Sequence, residues 1–213
     1  MTVEDLSQQA GEICRLAPVV PVLVLDDASW AADLAEALVA GGLPALEVTL
    51  RTPAALDAIR EMSGVEGGVV GAGTLLTPAD VVAAKEAGAL FGVTPGTTDR
   101  LIDAALDAEL PLLPGAATAT EALRLLERGF SVQKFFPAEA SGGIPALKAI
   151  GAPIPQVSFC PTGGVNLANA PDYLALSNTI CVGGSWVAPK EAVARREWGK
   201  VERLAREAAK LGQ

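Results

Sequence analysis

The stretch Val69-Val70-Gly71-Ala72-Gly73-Thr74-Leu75-Leu76-Thr77-Pro78 sets how the whole chain is read. The short apolar run 69–74 is closed by Gly and Thr. Thr77-Pro78 then marks a helix start, because a proline in the first helical turn gives up an N–H that has no partner there anyway. An Ala-, Val- and Glu-containing segment, 78–87, follows with helical spacing. The unit is strand, loop, helix, and it recurs in both directions along the chain. Apolar runs lie at 19–25, 45–50, 69–74, 90–94, 112–115, 132–136, 157–161 and 179–183. Helical stretches separate them at 29–40, 53–62, 78–87, 99–108, 120–127, 144–150 and 167–176, with a leading helix within 4–16 and one long final helix over 189–211. Near-continuous apolar strands alternating with helices imply a parallel sheet covered on its outside, and eight such units are the number that closes a (β/α)8 TIM barrel. The expected architecture is therefore α/β: a single (β/α)8 barrel domain over 1–213 with an extra N-terminal helix. An open doubly wound sheet is the rival, but no Gly-x-Gly-x-x-Gly turn follows the first strand.

Composition narrows the chemistry. Half the 213 residues are hydrophobic and 19% are charged, a globular composition rather than a disordered one. Sixteen basic against 25 acidic residues give a net charge of -9, and no basic run could follow a phosphodiester backbone, so no nucleic acid is expected as partner. The most apolar stretch, 17–25, is far shorter than the roughly 20 residues that cross a bilayer. The acidic start Met1-Thr2-Val3-Glu4-Asp5 does not read as a signal peptide, so a cytoplasmic protein with no membrane contact is expected. Cys14, Cys160 and Cys181 have neither zinc-site spacing nor the even count of a disulfide framework, which fits a reducing compartment. There is no histidine, which removes His triads, His-held metals and His acid/base chemistry together. No cofactor and no metal are expected.

One charge stands where strand chemistry should not place it. In Val132-Gln133-Lys134-Phe135-Phe136-Pro137, residues 132, 134 and 136 share a face, which directs Lys134 into the barrel or its two apolar neighbours out of it. An unpaired ammonium is costly to bury, and losing its proton is the usual relief. That leaves the free amine that a Schiff-base lysine needs to attack a carbonyl. The bland alternative is a lysine that snorkels to solvent or pairs with Glu139.

A second strand supplies partners. Leu46-Glu47-Val48-Thr49-Leu50-Arg51 sets a carboxylate, a hydroxyl and a guanidinium at alternate positions, so all three can face one cavity. Glu47 is the candidate general acid/base and Arg51 the candidate clamp for an anionic substrate group, with a structural Glu47–Arg51 pair as the alternative. Glycines cluster at the C-terminal strand ends, where barrel enzymes build their sites. Thr162-Gly163-Gly164 and Gly183-Gly184-Ser185, after the seventh and eighth strands, can offer backbone N–H groups to a phosphate. Thr74 and Thr162 are candidates to orient a carboxylate or water, or simply helix caps.

Taken together these segments resemble the KDPG (2-keto-3-deoxy-6-phosphogluconate) aldolase family of class I aldolases. The resemblance runs over nearly the whole chain. It is carried by Ala40-Gly41-Gly42, Leu46-Glu47-Val48-Thr49-Leu50-Arg51-Thr52, Val70-Gly71-Ala72-Gly73-Thr74, Lys134-Phe135-Phe136-Pro137-Ala138-Glu139, Phe159-Cys160-Pro161-Thr162-Gly163-Gly164 and Cys181-Val182-Gly183-Gly184-Ser185-Trp186. It implies Lys134 as the Schiff-base lysine, Glu47 as the general acid/base, and Arg51 and Thr74 as ligands of the pyruvate-derived carboxylate. It further implies Phe136 and Thr162 beside the pyruvate pocket, and Gly163, Gly164, Gly184 and Ser185 around the phosphate. The implied partners are a phosphorylated keto acid, pyruvate and glyceraldehyde 3-phosphate, and the implied assembly is a homotrimer. The family pattern commonly has Ser before Pro95-Gly96 and Arg before Phe159, where Thr94 and Ser158 stand here. Rival readings are an aldolase for the galactonate epimer or for 4-hydroxy-2-oxoglutarate, a phosphosugar isomerase or epimerase, and a catalytically silent barrel that senses a sugar acid.

Overall fold

The computed structural model describes residues 1–212. The chain opens on helix α1 (Val3–Cys14), whose start is held by a reciprocal box between Thr2 and Asp5 that satisfies two N–H groups out of reach of any helical carbonyl. Ser7 on its buried face accepts hydrogen bonds from the N–H groups of Ser131 and Val132 at 3.0 and 3.2 Å, fixing the entry of the strand that carries Lys134.

Strand and helix then alternate: β1 (Val19–Leu23), α2 (Ala31–Ala40), β2 (Ala45–Thr49), α3 (Ala55–Ser63), β3 (Val69–Gly73), α4 (Pro78–Glu86), β4 (Phe91–Val93), α5 (Asp99–Asp107) and β5 (Leu112–Leu113). The second half continues with β6 (Gly115–Ala116), α6 (Ala119–Glu127), β7 (Val132–Phe135), α7 (Gly143–Gly151), β8 (Ser158–Pro161), α8 (Ala170–Leu174), β9 (Val182–Gly184), α9 (Lys190–Ala194) and α10 (Trp198–Ala208). Every strand pairing is parallel, in a six-stranded sheet ordered β5-β4-β3-β2-β1-β9 and a three-stranded sheet ordered β6-β7-β8. No described helix is long and apolar enough to cross a membrane.

The parallel α/β architecture and the leading helix agree with the sequence. The single ring of eight strands does not appear as such. The strand expected over 112–115 is broken at Pro114, which has no N–H to give. Beyond it, Gly115 donates its N–H to the hydroxyl of Thr94 at 3.1 Å rather than to a strand carbonyl. Between β8 and β9 the contact is reduced to two isolated bridges, Phe159 to Thr179 and Thr162 to Gly183.

Two helix boundaries also move. The long final helix is two helices, because Arg196 takes a left-handed φ of 55° and closes α9. Its N–H reaches the Val193 carbonyl at 2.9 Å and that of Glu197 the Ala192 carbonyl at 2.8 Å, the paired bonds of a Schellman turn, here without its usual glycine. Helix α3 starts at Ala55 rather than at the Thr52-Pro53 signal, since the Thr52 hydroxyl donates to the Leu25 carbonyl instead of capping. At α4 the same signal holds: Thr77 caps, Pro78 occupies the first turn, and Asp80 completes the box.

Strand alternation divides the interior into two layers. Leu46, Val48, Phe135 and Phe159 face outward into the core shared with the helices. Val20, Ala45, Phe91, Val93, Val132 and Cys160 face inward and form a second apolar cluster within the curl of the sheet. Two residues further along the same faces stand Val22, Glu47, Lys134 and Thr162. The inner surface is thus apolar at the N-terminal ends of the strands and polar towards the C-terminal ends.

Candidate active site

Lys134 sits on β7 with its amine inside the curl, buried to 4% exposure. Its Nζ donates to Oε1 of Glu47 on β2 at 3.1 Å, and Glu47 itself is 2% exposed. The buried amine is therefore in direct contact with a buried carboxylate. Neither bland alternative holds. Glu139 is engaged by the Tyr173 hydroxyl, and Arg51 forms no ion pair among the described residues. The Phe136 ring lies 5.1 Å from Nζ and offers its electron-rich face to the cation.

Around the pair is a cavity of about 190 Å³ lined by Glu47, Arg51, Lys134, Phe136, Thr162, Gly163, Gly164, Gly184 and Ser185, with Val22, Val24, Val165 and Gly183. The structure thus gathers at one place every site residue expected from the sequence except Thr49 and Thr74, which are not among the lining residues. Thr74 follows β3 directly, in a left-handed conformation with φ of 63° that a β-branched residue rarely adopts. Thr49, expected to face the same cavity, instead gives its hydroxyl to the Leu23 carbonyl of β1 at 2.9 Å. Of four larger clefts, those of about 570 and 610 Å³ contain no carboxylate side chain, and those of about 330 and 320 Å³ contain carboxylates but no lysine. Ser158 lies in the first of them, away from the amine–carboxylate pair.

The electrostatics of the cavity are asymmetric. Arg51 is exposed at the mouth and free to take an anion, while the floor holds the balanced Lys134–Glu47 pair. Gly163 and Gly164 both have positive φ, 100° and 81°, which side chains resist. The Gly164 carbonyl accepts from the side-chain amides of Asn166 and Asn169, each at 3.2 Å, so the turn is tied down from outside the cavity. Behind it, burial and then the hydrogen bond to Glu139 push the Tyr173 phenol well above its usual range.

The sequence held no signal for two features. Val22 of β1 and Val24 just beyond it line the cavity, but their run is apolar throughout and nothing local singles them out. Cys14, Cys160 and Cys181, scattered along the chain, converge in the inner apolar cluster, all buried. Hydrogen bonds among them push the thiols of Cys14 and Cys181 well up and hold that of Cys160 well down, with burial adding to the first two and Lys134 to the last. Among the described residues no group of side chains is arranged to hold a metal ion.

The family model described as KDPG and KHG aldolase matches residues 10–204. A Pseudomonas aeruginosa protein named 2-dehydro-3-deoxy-phosphogluconate aldolase is 50% identical over 206 residues, covering 96% of this chain and 94% of its own. The crystal structure of the Zymomonas mobilis 2-keto-3-deoxy-6-phosphogluconate aldolase with 3-phosphoglycerate superposes with a TM-score of 0.90 at 49% identity, over 96% of this chain and 97% of that one. That of the Legionella pneumophila KDPG aldolase, with pyruvate captured at low pH as a covalent carbinolamine intermediate, gives 0.91 at 44% identity, over 94% and 98%. With matches of this extent in sequence and in fold, the chain belongs to the KDPG and KHG aldolase family.

Proposed function

We propose that this protein is a class I aldolase cleaving 2-dehydro-3-deoxy-6-phosphogluconate to pyruvate and glyceraldehyde 3-phosphate. One observation carries it: a primary amine and a carboxylate 3.1 Å apart, both almost sealed from water, on the floor of a cavity with an unpaired arginine at its mouth. The names of the close relatives and the covalent pyruvate in the Legionella protein support it.

Lys134, its proton passed to Glu47, attacks the C2 ketone; Glu47 gives that proton to the carbinolamine hydroxyl, which leaves as water, so that an iminium forms and Glu47 is a carboxylate again. Glu47, directly or through a water, takes the C4 hydroxyl proton. The C3–C4 bond breaks, its electron pair enters the iminium to form an enamine, and the aldehyde leaves. Glu47 returns a proton to C3, and hydrolysis releases pyruvate and restores the amine. Arg51, with Thr74 at the end of β3, holds the carboxylate of the pyruvate half. Phe136 and Thr162 bound that half, and Gly163, Gly164, Gly184 and Ser185 receive the phosphate.

The test is borohydride reduction with pyruvate followed by peptide mapping, which is expected to place a pyruvyl adduct on Lys134. No adduct there would reject the covalent route. Glu47→Gln is expected to keep the adduct while slowing turnover by about 100-fold or more. The KHG half of the family's description favours a second reading, cleavage of 4-hydroxy-2-oxoglutarate, and the phosphogalactonate epimer is a third substrate of the same kind. Comparing cleavage rates on the three separates them.

The same reading takes residues 1–213 as one (β/α)8 barrel domain. In support, only Pro114 separates β5 from β6, and the bridges at Thr179 and Gly183 join β8 to β9. It places the enzyme in the cytoplasm, in keeping with three free cysteines, as a homotrimer whose mass light scattering would report.

A further inference from the structure

The carboxylate of Glu47 stands in space that only a glycine at position 73 leaves open. Gly73 ends β3 and pairs with Thr49 of β2, next along the strand face from Glu47. A Cβ built on Gly73 would lie 2.2 Å from Glu47 Oε1, 2.7 Å from its Cγ and 2.8 Å from its Cδ. All three nearest atoms belong to that one side chain. Contacts this short do not occur between real atoms, so a methyl group at 73 must move Glu47. The backbone itself gives no reason for glycine, since Gly73 is absent from the positive-φ residues and ends a regular strand, where glycine weakens rather than strengthens the structure. Other strand glycines nearby contrast with it: at Gly71 a Cβ would meet the Phe91 ring, at Gly183 the Thr162 side chain, and at Gly184 the Trp186 ring.

We propose that Gly73 is a positioning residue that acts through Glu47, holding its Oε1 against the Lys134 amine by leaving the place of a Cβ empty. This rests on the aldolase reading for its kinetic consequence but not for its structural one. Gly73→Ala leaves the strand intact and displaces the flexible end of Glu47 by the better part of an ångström. A displacement of that size at a proton-transferring group lowers kcat on the order of 10- to 100-fold. Because the strand stays intact, Thr74 keeps its place beside it, and KM, set by Thr74, Arg51 and the glycines of the opening, stays near the wild-type value.

The experiment is a double-mutant cycle of Gly73→Ala and Glu47→Gln, read by kcat and KM for cleavage, by deuterium exchange into the methyl group of pyruvate, and by thermal unfolding, with Glu47→Ala as a third background. Gly73→Ala in the wild type is expected to lower kcat and methyl exchange together, while in Glu47→Gln it adds less than about twofold. Unfolding separates the two claims: Gly73→Ala is expected to cost more stability with Glu47 present than in Glu47→Ala, where none of the three Glu47 atoms that the methyl group meets remains. If the wild type neither cleaves the sugar acid nor exchanges pyruvate, the aldolase reading fails and the coupling in unfolding alone decides the role of Gly73. Full kcat in Gly73→Ala, losses that multiply in the double variant, or equal stability costs in both backgrounds would overturn the proposal.

Discussion

Lys134 and Glu47, 87 residues apart in the chain, meet through a 3.1 Å hydrogen bond within the curl of the sheet. Their side chains retain only 6% and 3% of their exposure, so each is the other's main compensation for lost water. Removing one partner strands the other. Glu47→Ala is expected to destabilise the fold by about 3 kcal/mol, and Lys134→Met with Glu47→Leu to recover most of that loss or exceed wild type, both without activity. Thermal unfolding reads this as a drop of roughly 6–12 °C for the single variant. A single variant that melts with the wild type would show that the pair is better solvated than its burial indicates.

Thr74 stores backbone strain beside the site, with φ of 63° on a β-branched residue. Thr74→Gly adopts that conformation freely and is expected to leave stability unchanged or raise it by about 1 kcal/mol. If the hydroxyl also holds the substrate carboxylate, KM rises in the same variant. Chemical denaturation and steady-state kinetics test the two halves separately; a clear loss of stability would contradict the strain.

The three cysteines are buried together in the inner apolar cluster, two with thiols pushed up. None is expected to react with an aromatic disulfide reagent in the native protein near neutral pH, and all three to react in guanidinium. Rapid modification of any one in the folded state would place it outside the inner cluster.

Acid sensitivity is expected at α6. The N–H of Ala117, then the hydroxyl and N–H of Thr118, hold the Glu121 carboxyl below its usual value. A depressed folded value means stability that is complete above the unfolded value, near pH 4.3, and lost as pH falls through the folded one. Glu121→Gln therefore flattens the acid limb of stability against pH. Thr118→Ala, which removes the cap itself, costs about 1 kcal/mol at neutral pH. An acid limb identical in Glu121→Gln and wild type would assign it to other carboxylates.

Read alone, the chain already declares its alternation of strands and helices, because apolar spacing and helix starts are local properties. Lys134 was legible for the same reason: in a strand, the identities of 132 and 136 say which way 134 points. The glycine clusters were legible as strand ends, and Thr77-Pro78 as a helix start, while Thr52-Pro53 misled because its hydroxyl found a carbonyl on another loop.

What faces what across the interior is decided by the curl and register of the sheet, which no short stretch encodes. Only the assembled strands bring Glu47 to Lys134, empty the space over Gly73, and collect Cys14, Cys160 and Cys181 at one point. Pro114 shows the boundary between the two kinds of information. Its missing N–H is written in the sequence, but the hydroxyl of Thr94 that takes up the next amide comes from a neighbouring strand end that only folding puts there.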